Sequence, residues 1–495
     1  MQSWWGSVSL VVALLLVGCG SSTKPPDAGT EVDAGVTDDA GVTDDAGVTD
    51  DAGMPDSGVA EALPCERTQG VCAGAKRALV DGAYEPVCTA RSYGADYEAS
   101  ETRCDGLDND CDGVADPATW SDVAPMKWAP ADNTVDSLRV AGGFLMVFVD
   151  SSEGIQVLRF DEALALRSSS LIPLPPDFVR ITNAQLVRTS RGVALFFTAM
   201  NSDGVTQGRF VPLDEQGTPI GSPEGLVLFE EPSAFVFTRV APSLDGERIA
   251  VVWTRTFESY EVRGMTVDAS GQALTPPHAL FQSSGLLLSS PSVVGLETGG
   301  FLMTANENMG DFFWGRVWLK RFDRELSPDE GEKLLPLAHG ALPMLLWQPP
   351  TEEGGVGEPV MLYREPDGHL PRVHLVQSLF GPSMSETLTP TSWSQTGVLG
   401  ATMTSRGLQM AWISLSAAYT PGLSAFYPWN GRLWGRSPSG VVTEWTPGPA
   451  RMPMERQGDW VRLQELPGQW MGALLMTATE TPRAYTLHSL RYCAP

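Results

Sequence analysis

The densest chemistry in the chain lies in thirteen residues, Cys104-Asp-Gly-Leu-Asp-Asn-Asp-Cys-Asp-Gly-Val-Ala-Asp116. Asp108, Asp110 and Asp112 alternate, and Gly113 follows where a sharp turn is needed. Carboxylates at positions 1, 3 and 5 with glycine at 6 are the spacing of an oxygen-ligand loop for a hard divalent cation. The Val114 carbonyl falls at position 7 and Asp116 at position 9, placed to reach an ion directly or through water. Four carboxylates this close repel one another, so a cation would order the loop. All-oxygen donors favour Ca2+ over zinc or copper. Position 12 is Thr119, where an EF-hand has a bidentate glutamate, and Pro117 opposes a following helix. Asp105 reads as a turn-former before it reads as a ligand. The rival reading is an acidic turn held by disulfides without a metal.

A loop of this kind must be held by something. Residues 64–117 contain Cys65, Cys72, Cys88, Cys104 and Cys111, spaced 7, 16, 16 and 7 residues apart, with no histidine among them. Zinc sites want close Cys or His pairs, so this spacing points to disulfides in a module too small to hold itself by a core alone. Five cysteines cannot all pair internally. Cys493, the third residue from the end, is the expected partner of the odd one, with a free or intermolecular thiol as the alternative. Six cysteines allow 15 pairings, and no others are assigned.

Cys65-x6-Cys72-Ala-Gly-Ala, Ser92-Tyr-Gly-Ala-Asp-Tyr-Glu-Ala-Ser-Glu101 and Cys104-Asp-Gly-Leu-Asp-Asn-Asp-Cys-Asp-Gly together resemble the cysteine-rich metal-binding module of bacterial surface proteins called MopE-like. The resemblance covers residues 64–117, about a tenth of the chain. Relatives carry one more cysteine near the position of Leu79, and its absence is what leaves the odd number.

The N-terminal residues indicate where such a module would be delivered. Val8–Val17 is an apolar run too short to span a bilayer as a helix, which fits an export signal over residues 1–18. Leu16-Val17-Gly18-Cys19 resembles the bacterial lipoprotein processing box. That resemblance implies cleavage before Cys19, acylation of its thiol and anchoring to a membrane through the lipid. Gly20 after the cysteine implies sorting to the outer membrane. Residues 19–63 then read as a lipidated tether: three copies of Thr-Asp-Asp-Ala-Gly, no aromatic residue and like charges that extend the chain.

Net charge is −27, of which −10 falls on residues 20–63 and −6 on 64–116, leaving −11 for the remaining 379 residues. The large remainder is mildly acidic, and nothing in it suggests nucleic acid. From residue 120 to 495 the chain repeats an apolar run starting at Phe144, Val193, Ile249, Phe301, Val360, Leu408 and Trp470, at intervals of 49, 56, 52, 59, 48 and 62 residues. Most units continue through a hairpin to a strand ending near an Asp, such as Leu158-Arg-Phe-Asp161, and a tight turn such as Asp214-Glu-Gln-Gly217. Several strands per unit at this period is the pattern of propeller blades. The expected fold is therefore all-β, a seven-bladed β-propeller over residues 120–495 preceded by a small disulfide-rich metal-binding module. The apolar runs are expected to be the inner strands, and a strand within Met126–Val140 is expected to close the last blade.

Catalytic patterns are sparse. His278, His339, His369, His374 and His488 have no metal-ligand spacing, and no nucleophile elbow or phosphate loop occurs. Ser327-Pro-Asp-Glu-Gly331 reads as a turn and not as a sialidase-type aspartate box. Trp314, Trp429 and Arg432 are candidates to line a central pocket, although aromatics at blade positions more often serve packing. The sequence thus favours a non-enzymatic, outer-membrane-anchored platform that binds a protein or carbohydrate ligand at the propeller face. The alternatives are a propeller enzyme acting on glycans and a metal-acquisition protein.

Overall fold

The structure is a computed structural model that describes residues 62–495 except for short intervals, the longest being 416–428 and 446–459. The export signal, Cys19 and the tether lie outside the described residues. Residues 62–495 form one compact unit. Among the described residues it is all-β and propeller-like: seven four-stranded antiparallel sheets, six of them simple meanders and the seventh completed by a strand from earlier in the chain. The first runs through Pro130–Val140, Gly143–Asp150, Gly154–Asp161 and Leu166–Pro173. The opening strands of the next six sheets are Phe178–Thr189, Thr238–Pro242, Leu288–Gly295, Ala341–Gln348, Ser394–Thr404 and Trp460–Glu465. Each opening strand touches the next, and the last touches the first, so the sheets form a closed cycle.

The apolar runs are the second strand of each sheet, not the innermost. Burial explains why. A second strand is hydrogen-bonded along both edges and covered on both faces by neighbouring sheets, so it reads as a continuous hydrophobic run. In Gly143–Asp150 the two-residue alternation sends Phe144, Met146 and Phe148 toward Trp470, Leu474 and Leu487 of the seventh sheet. Leu145, Val147 and Val149 face the opposite way, toward Leu186, Leu195 and Phe197 of the second sheet. The same division recurs where Ala194 and Phe196 meet Ile249, Val251 and Trp253, and where Ala250 and Val252 meet Phe301, Met303 and Ala305. A side chain such as Phe148, fully buried between two sheets, is worth about 3–5 kcal/mol against alanine.

Innermost strands have an unpaired edge, and an unpaired buried backbone group is costly. Here side chains of one sheet occupy the edge of the next. Asp136 Oδ2 accepts from Leu186 N at 2.8 Å, and Gln185 accepts from Val240 N at 3.0 Å while donating to the Thr238 carbonyl at 2.9 Å. Leu345 N donates to Ser292 Oγ at 2.9 Å, Arg462 donates to the Val135 carbonyl, and Gln464 Nε2 donates to Ser137 Oγ at 2.6 Å. These strands therefore carry polar residues where the sequence reading expected apolar ones.

The ring closes through Thr119–Met126, which pairs with Tyr485–Cys493 from Thr119↔Arg491 to Met126↔Tyr485 as the outer strand of the seventh sheet. Closure thus comes earlier in the chain than the Met126–Val140 region. Pro130–Val140 is committed elsewhere, because it forms a hairpin with Gly143–Asp150.

Four third strands end in one turn. Oδ1 of Asp161, Asp214, Asp268 and Asp323 each accepts from the backbone N–H groups two and four residues on, at 2.8–2.9 Å. The third residue after each Asp has positive φ. It is glycine at 217 and 271 but leucine at 164 and 326, whose buried side chains pack into the core and offset the strain. Ser327, the first residue of the box-like segment, is the last donor in one of these turns; residues 329–331 lie outside the described residues.

Candidate functional site

The acidic loop is held from below by a small cysteine core. Cys65 pairs with Cys88 and Cys72 with Cys111, and these four pack with Tyr93. Short strands Leu79–Val80 and Ala83–Tyr84 and one helical turn, Ala90–Tyr93, complete the module. The Cys72–Cys111 bridge fixes the loop between Asp110 and Asp112, and the Val71 N–H holds the Asp108 carbonyl at 3.1 Å. Gly70 has φ +52°, and a Cβ there would lie 2.2 Å from the Asp108 carbonyl oxygen. Only glycine lets this segment approach so closely.

Asp108 Oδ1 and Oδ2 accept from the N–H groups of Asp112 at 3.1 Å and Gly113 at 2.9 Å. Asp110 Oδ1 accepts from Asp112 N at 3.3 Å, and Asp112 Oδ1 accepts from Val114 N at 2.8 Å. The result is that one carboxylate oxygen from each of Asp108, Asp110 and Asp112 lies within 4.8 Å of the others. Asp116 is not in that group. Its Oδ2 accepts from Gly106 N at 2.6 Å, and its Oδ1 is enclosed without a hydrogen-bond partner. Asp105 makes a turn, accepting from Leu107 N at 3.0 Å. Three converging carboxylate oxygens fit a hard cation better than a soft one.

Glu101, which the motif spacing did not single out, is buried and accepts from Asn109 N at 2.9 Å. Burial raises its pKa; the Asn109 N–H opposes that rise, and the charges of Asp110 and Asp116 add to it. The segment then docks on the seventh sheet. Cys104 is bonded to Cys493, Cys104 N donates to the Gly468 carbonyl at 3.1 Å, and Trp470 Nε1 donates to the Thr102 carbonyl at 2.8 Å. The Arg491 guanidinium lies 4.0 Å from the Trp470 ring centroid.

A second site lies where the innermost strands converge, in a cavity of about 360 Å³. Its polar wall includes Asp136, Gln185, Arg239, Arg462 and Gln464, and Met344 supplies an apolar patch. Arg462 Nε is 3.8 Å from Asp136 Oδ1, and its Nη1 donates to the Val461 carbonyl at 3.0 Å. Arg239 Nη1 donates to the Thr238 carbonyl at 2.8 Å. Asp136 and Arg462 keep 28% and 25% of their side chains accessible although they sit deep in the ring, because what they expose faces the cavity. Burial raises the Asp136 pKa, against the nearby Arg462 charge and the Leu186 N–H. Burial lowers the Arg239 pKa and the like charge of Arg462 lowers it further, against the Asp136 carboxylate.

The sequence reading placed its pocket candidates elsewhere. Trp314 lies outside the described residues, as do the side chains of Trp429 and Arg432. The usable signal was a pair of polar residues two apart just ahead of an apolar run, Asn183 with Gln185 and Arg462 with Gln464. Of the histidines, His278 bridges the Pro276 and Leu326 carbonyls, and His374 stacks on Tyr363 beside Glu365. His339 and His369 lie outside the described residues.

No family model matches the chain, so the MopE-like resemblance of residues 64–117 has no family match beside it, and no curated protein is significantly similar. Solved structures with a similar fold include the periplasmic gluconolactonase of Pseudomonas aeruginosa, 16% identical, covering 70% of this chain and 94% of its own, at a TM-score of 0.43. A protein of unknown function from Dyadobacter fermentans is 11% identical over 76% of this chain and 99% of its own, at 0.40. The fucose-recognising lectin of Aleuria aurantia, a six-bladed β-propeller, is 9% identical over 66% and 99%, at 0.36.

Proposed function

We propose that this chain is an exported, lipid-anchored binding protein in which residues 120–495 form a seven-bladed propeller that recognises a small ligand in its axial cavity. The observation that carries the reading is the cavity itself. Charged and amide side chains from separate sheets converge there on strands whose backbones are locked to one another, which is the preorganised polar constellation a recognition site needs. The seven-sheet cycle supports the blade count. The MopE-like module, in this reading, binds Ca2+ through Asp108, Asp110 and Asp112, with the Val114 carbonyl and Asp116 completing the shell. Its role is structural: the ion orders a segment that is stapled to the closing sheet. Anchoring through Cys19 and placement at the outer membrane follow from the processing box and belong to the same proposal.

The test of recognition is a panel of neutral and acidic mono- and oligosaccharides screened by saturation-transfer NMR against wild type and Met344→Trp, which narrows the cavity. Binding lost in Met344→Trp supports the site; binding indifferent to it moves recognition elsewhere. For the module, Ca2+ is expected to raise the thermal midpoint of wild type but not of Asp110→Asn, and chelator to reverse the gain. A second reading, an enzyme acting on glycans, has one observation in its favour: a carboxylate with a perturbed pKa beside two arginines in one cavity. Turnover of a panel glycan that is abolished by Asp136→Asn would establish it.

A further inference from the structure

We propose that the axial cavity takes a small monocarboxylate with a hydroxylated body, such as a sugar acid, and that Arg239 is the group that grips the carboxylate. This deepens the recognition reading and rests on it.

Charge is the first ground. The cavity wall carries two guanidinium groups and one carboxylate. Asp136 is engaged with Arg462 at 3.8 Å and with the Leu186 N–H at 2.8 Å. Arg462 is further committed to the carbonyls of Val135 and Val461. Arg239 is differently placed. Among the described residues no carboxylate lies within ion-pair distance of it, and its hydrogen bond goes to the carbonyl of its own neighbour, Thr238. Arg239 is open to the cavity; Asp136 attracts it and Arg462 repels it, and two guanidinium groups against one carboxylate leave the wall with one positive charge in excess. One monoanion balances the cavity; a dianion leaves it negative.

Shape and donor chemistry are the second ground. The planar guanidinium fork matches a carboxylate with two parallel hydrogen bonds, a geometry a lysine cannot reproduce. Ser137, Thr402 and Gln464 line the same cavity and suit hydroxyl groups, while Met344 offers an apolar face for a ring. About 360 Å³ lies at the small end of ligand pockets and suits a single ring rather than a chain.

The experiment is titration calorimetry of the whole protein at pH 7 and low salt with glucuronate, glucose and inorganic sulfate as probes, on wild type, Arg239→Gln, Arg239→Lys and Met344→Trp. Glucuronate is expected to bind wild type, to lose at least tenfold in Arg239→Gln, to lose less in Arg239→Lys, and to be lost in Met344→Trp. Glucose is expected to bind at least tenfold more weakly than glucuronate. In the absence of probe, Arg239→Gln is expected to keep or raise the thermal midpoint, since it removes the cavity's excess positive charge and the repulsion with Arg462. A lowered midpoint makes Arg239 a structural residue and overturns the proposal. Glucose binding as well as glucuronate, with both blocked by Met344→Trp, overturns the carboxylate assignment and leaves the recognition reading standing. Preference for sulfate overturns it in favour of an inorganic anion. Glucuronate binding unaffected by any variant removes both the assignment and the cavity. No binding by any probe overturns the carboxylate assignment, while the saccharide panel decides the recognition reading separately.

Discussion

Removing the Cys104–Cys493 bridge tests how the ring is kept closed. The bond spans 389 residues of sequence and joins the module to the last strand of the seventh sheet, where Cys493 sits opposite Trp470 in register. Chain entropy alone assigns a loop of that length about 6 kcal/mol at 25 °C, and measured values for native disulfides centre on about 2–4 kcal/mol. The lower range is the better expectation. Thr119–Met126 still pairs with Tyr485–Cys493 once the bond is gone, and Trp470, Gly468 and Arg491 still hold the Thr102–Cys104 segment. Unfolding entropy of about 2.1 cal/mol/K per residue over about 375 residues gives about 0.8 kcal/mol/K. The double variant Cys104→Ser/Cys493→Ser should therefore lose about 2.5–5 °C in thermal midpoint. Calorimetry of the oxidised protein, paired with peptide mapping without reductant, measures it. An unchanged midpoint, or a Cys493 that alkylates in the wild type without reductant, refutes the idea that this bond secures closure.

Gly70→Ala should damage the acidic loop more than Gly113→Ala. The first places a Cβ 2.2 Å from the Asp108 carbonyl oxygen, whereas the second meets only Gln69 Oε1, the end of a movable side chain, at 1.9 Å. Both also carry about 1–2 kcal/mol of left-handed strain, so in Ca2+ titrations Gln69→Ala should partly rescue Gly113→Ala and leave Gly70→Ala unchanged; the reverse order of damage contradicts this account. The turn carboxylates set an acid limit. Burial raises Asp268, but the Ser270 hydroxyl and the N–H groups of Gln272 and Ser270 together hold it below the ordinary value, and Asp161 is likewise held low against burial by Ala165 N–H and Arg167. A lowered folded pKa gives stability that is present above about pH 3.9 and lost as pH falls through the folded value. Urea midpoints between pH 6 and pH 2 should fall less steeply for Asp268→Asn, which keeps the Oδ1 acceptor without the charge; an equal slope contradicts the assignment.

The repeat was legible because each unit carries its own local signals. Both faces of a second strand are buried, so Phe144–Val149 is apolar throughout, and the Asp-turns at 214 and 268 are written within five residues. The acidic loop was legible for the same reason, since Asp108, Asp110, Asp112 and Gly113 meet through near-neighbour hydrogen bonds. What misled was depth within a sheet. An apolar run marks burial on two faces, and the strand nearest the axis is exposed on one edge, so it is the more polar of the two.

By itself the sequence determined the all-β repeat, the spacing of the loop carboxylates and the cysteines available to hold them, because those depend on contacts a few residues apart. Tertiary structure decided which strand closes the ring, that Cys104 is the residue bonded to Cys493, and that the axial cavity exists at all. Asp136, Arg239 and Arg462 are more than a hundred residues apart in pairwise succession. No local pattern relates them; only closure of the sheets into a cycle puts their charges against one another.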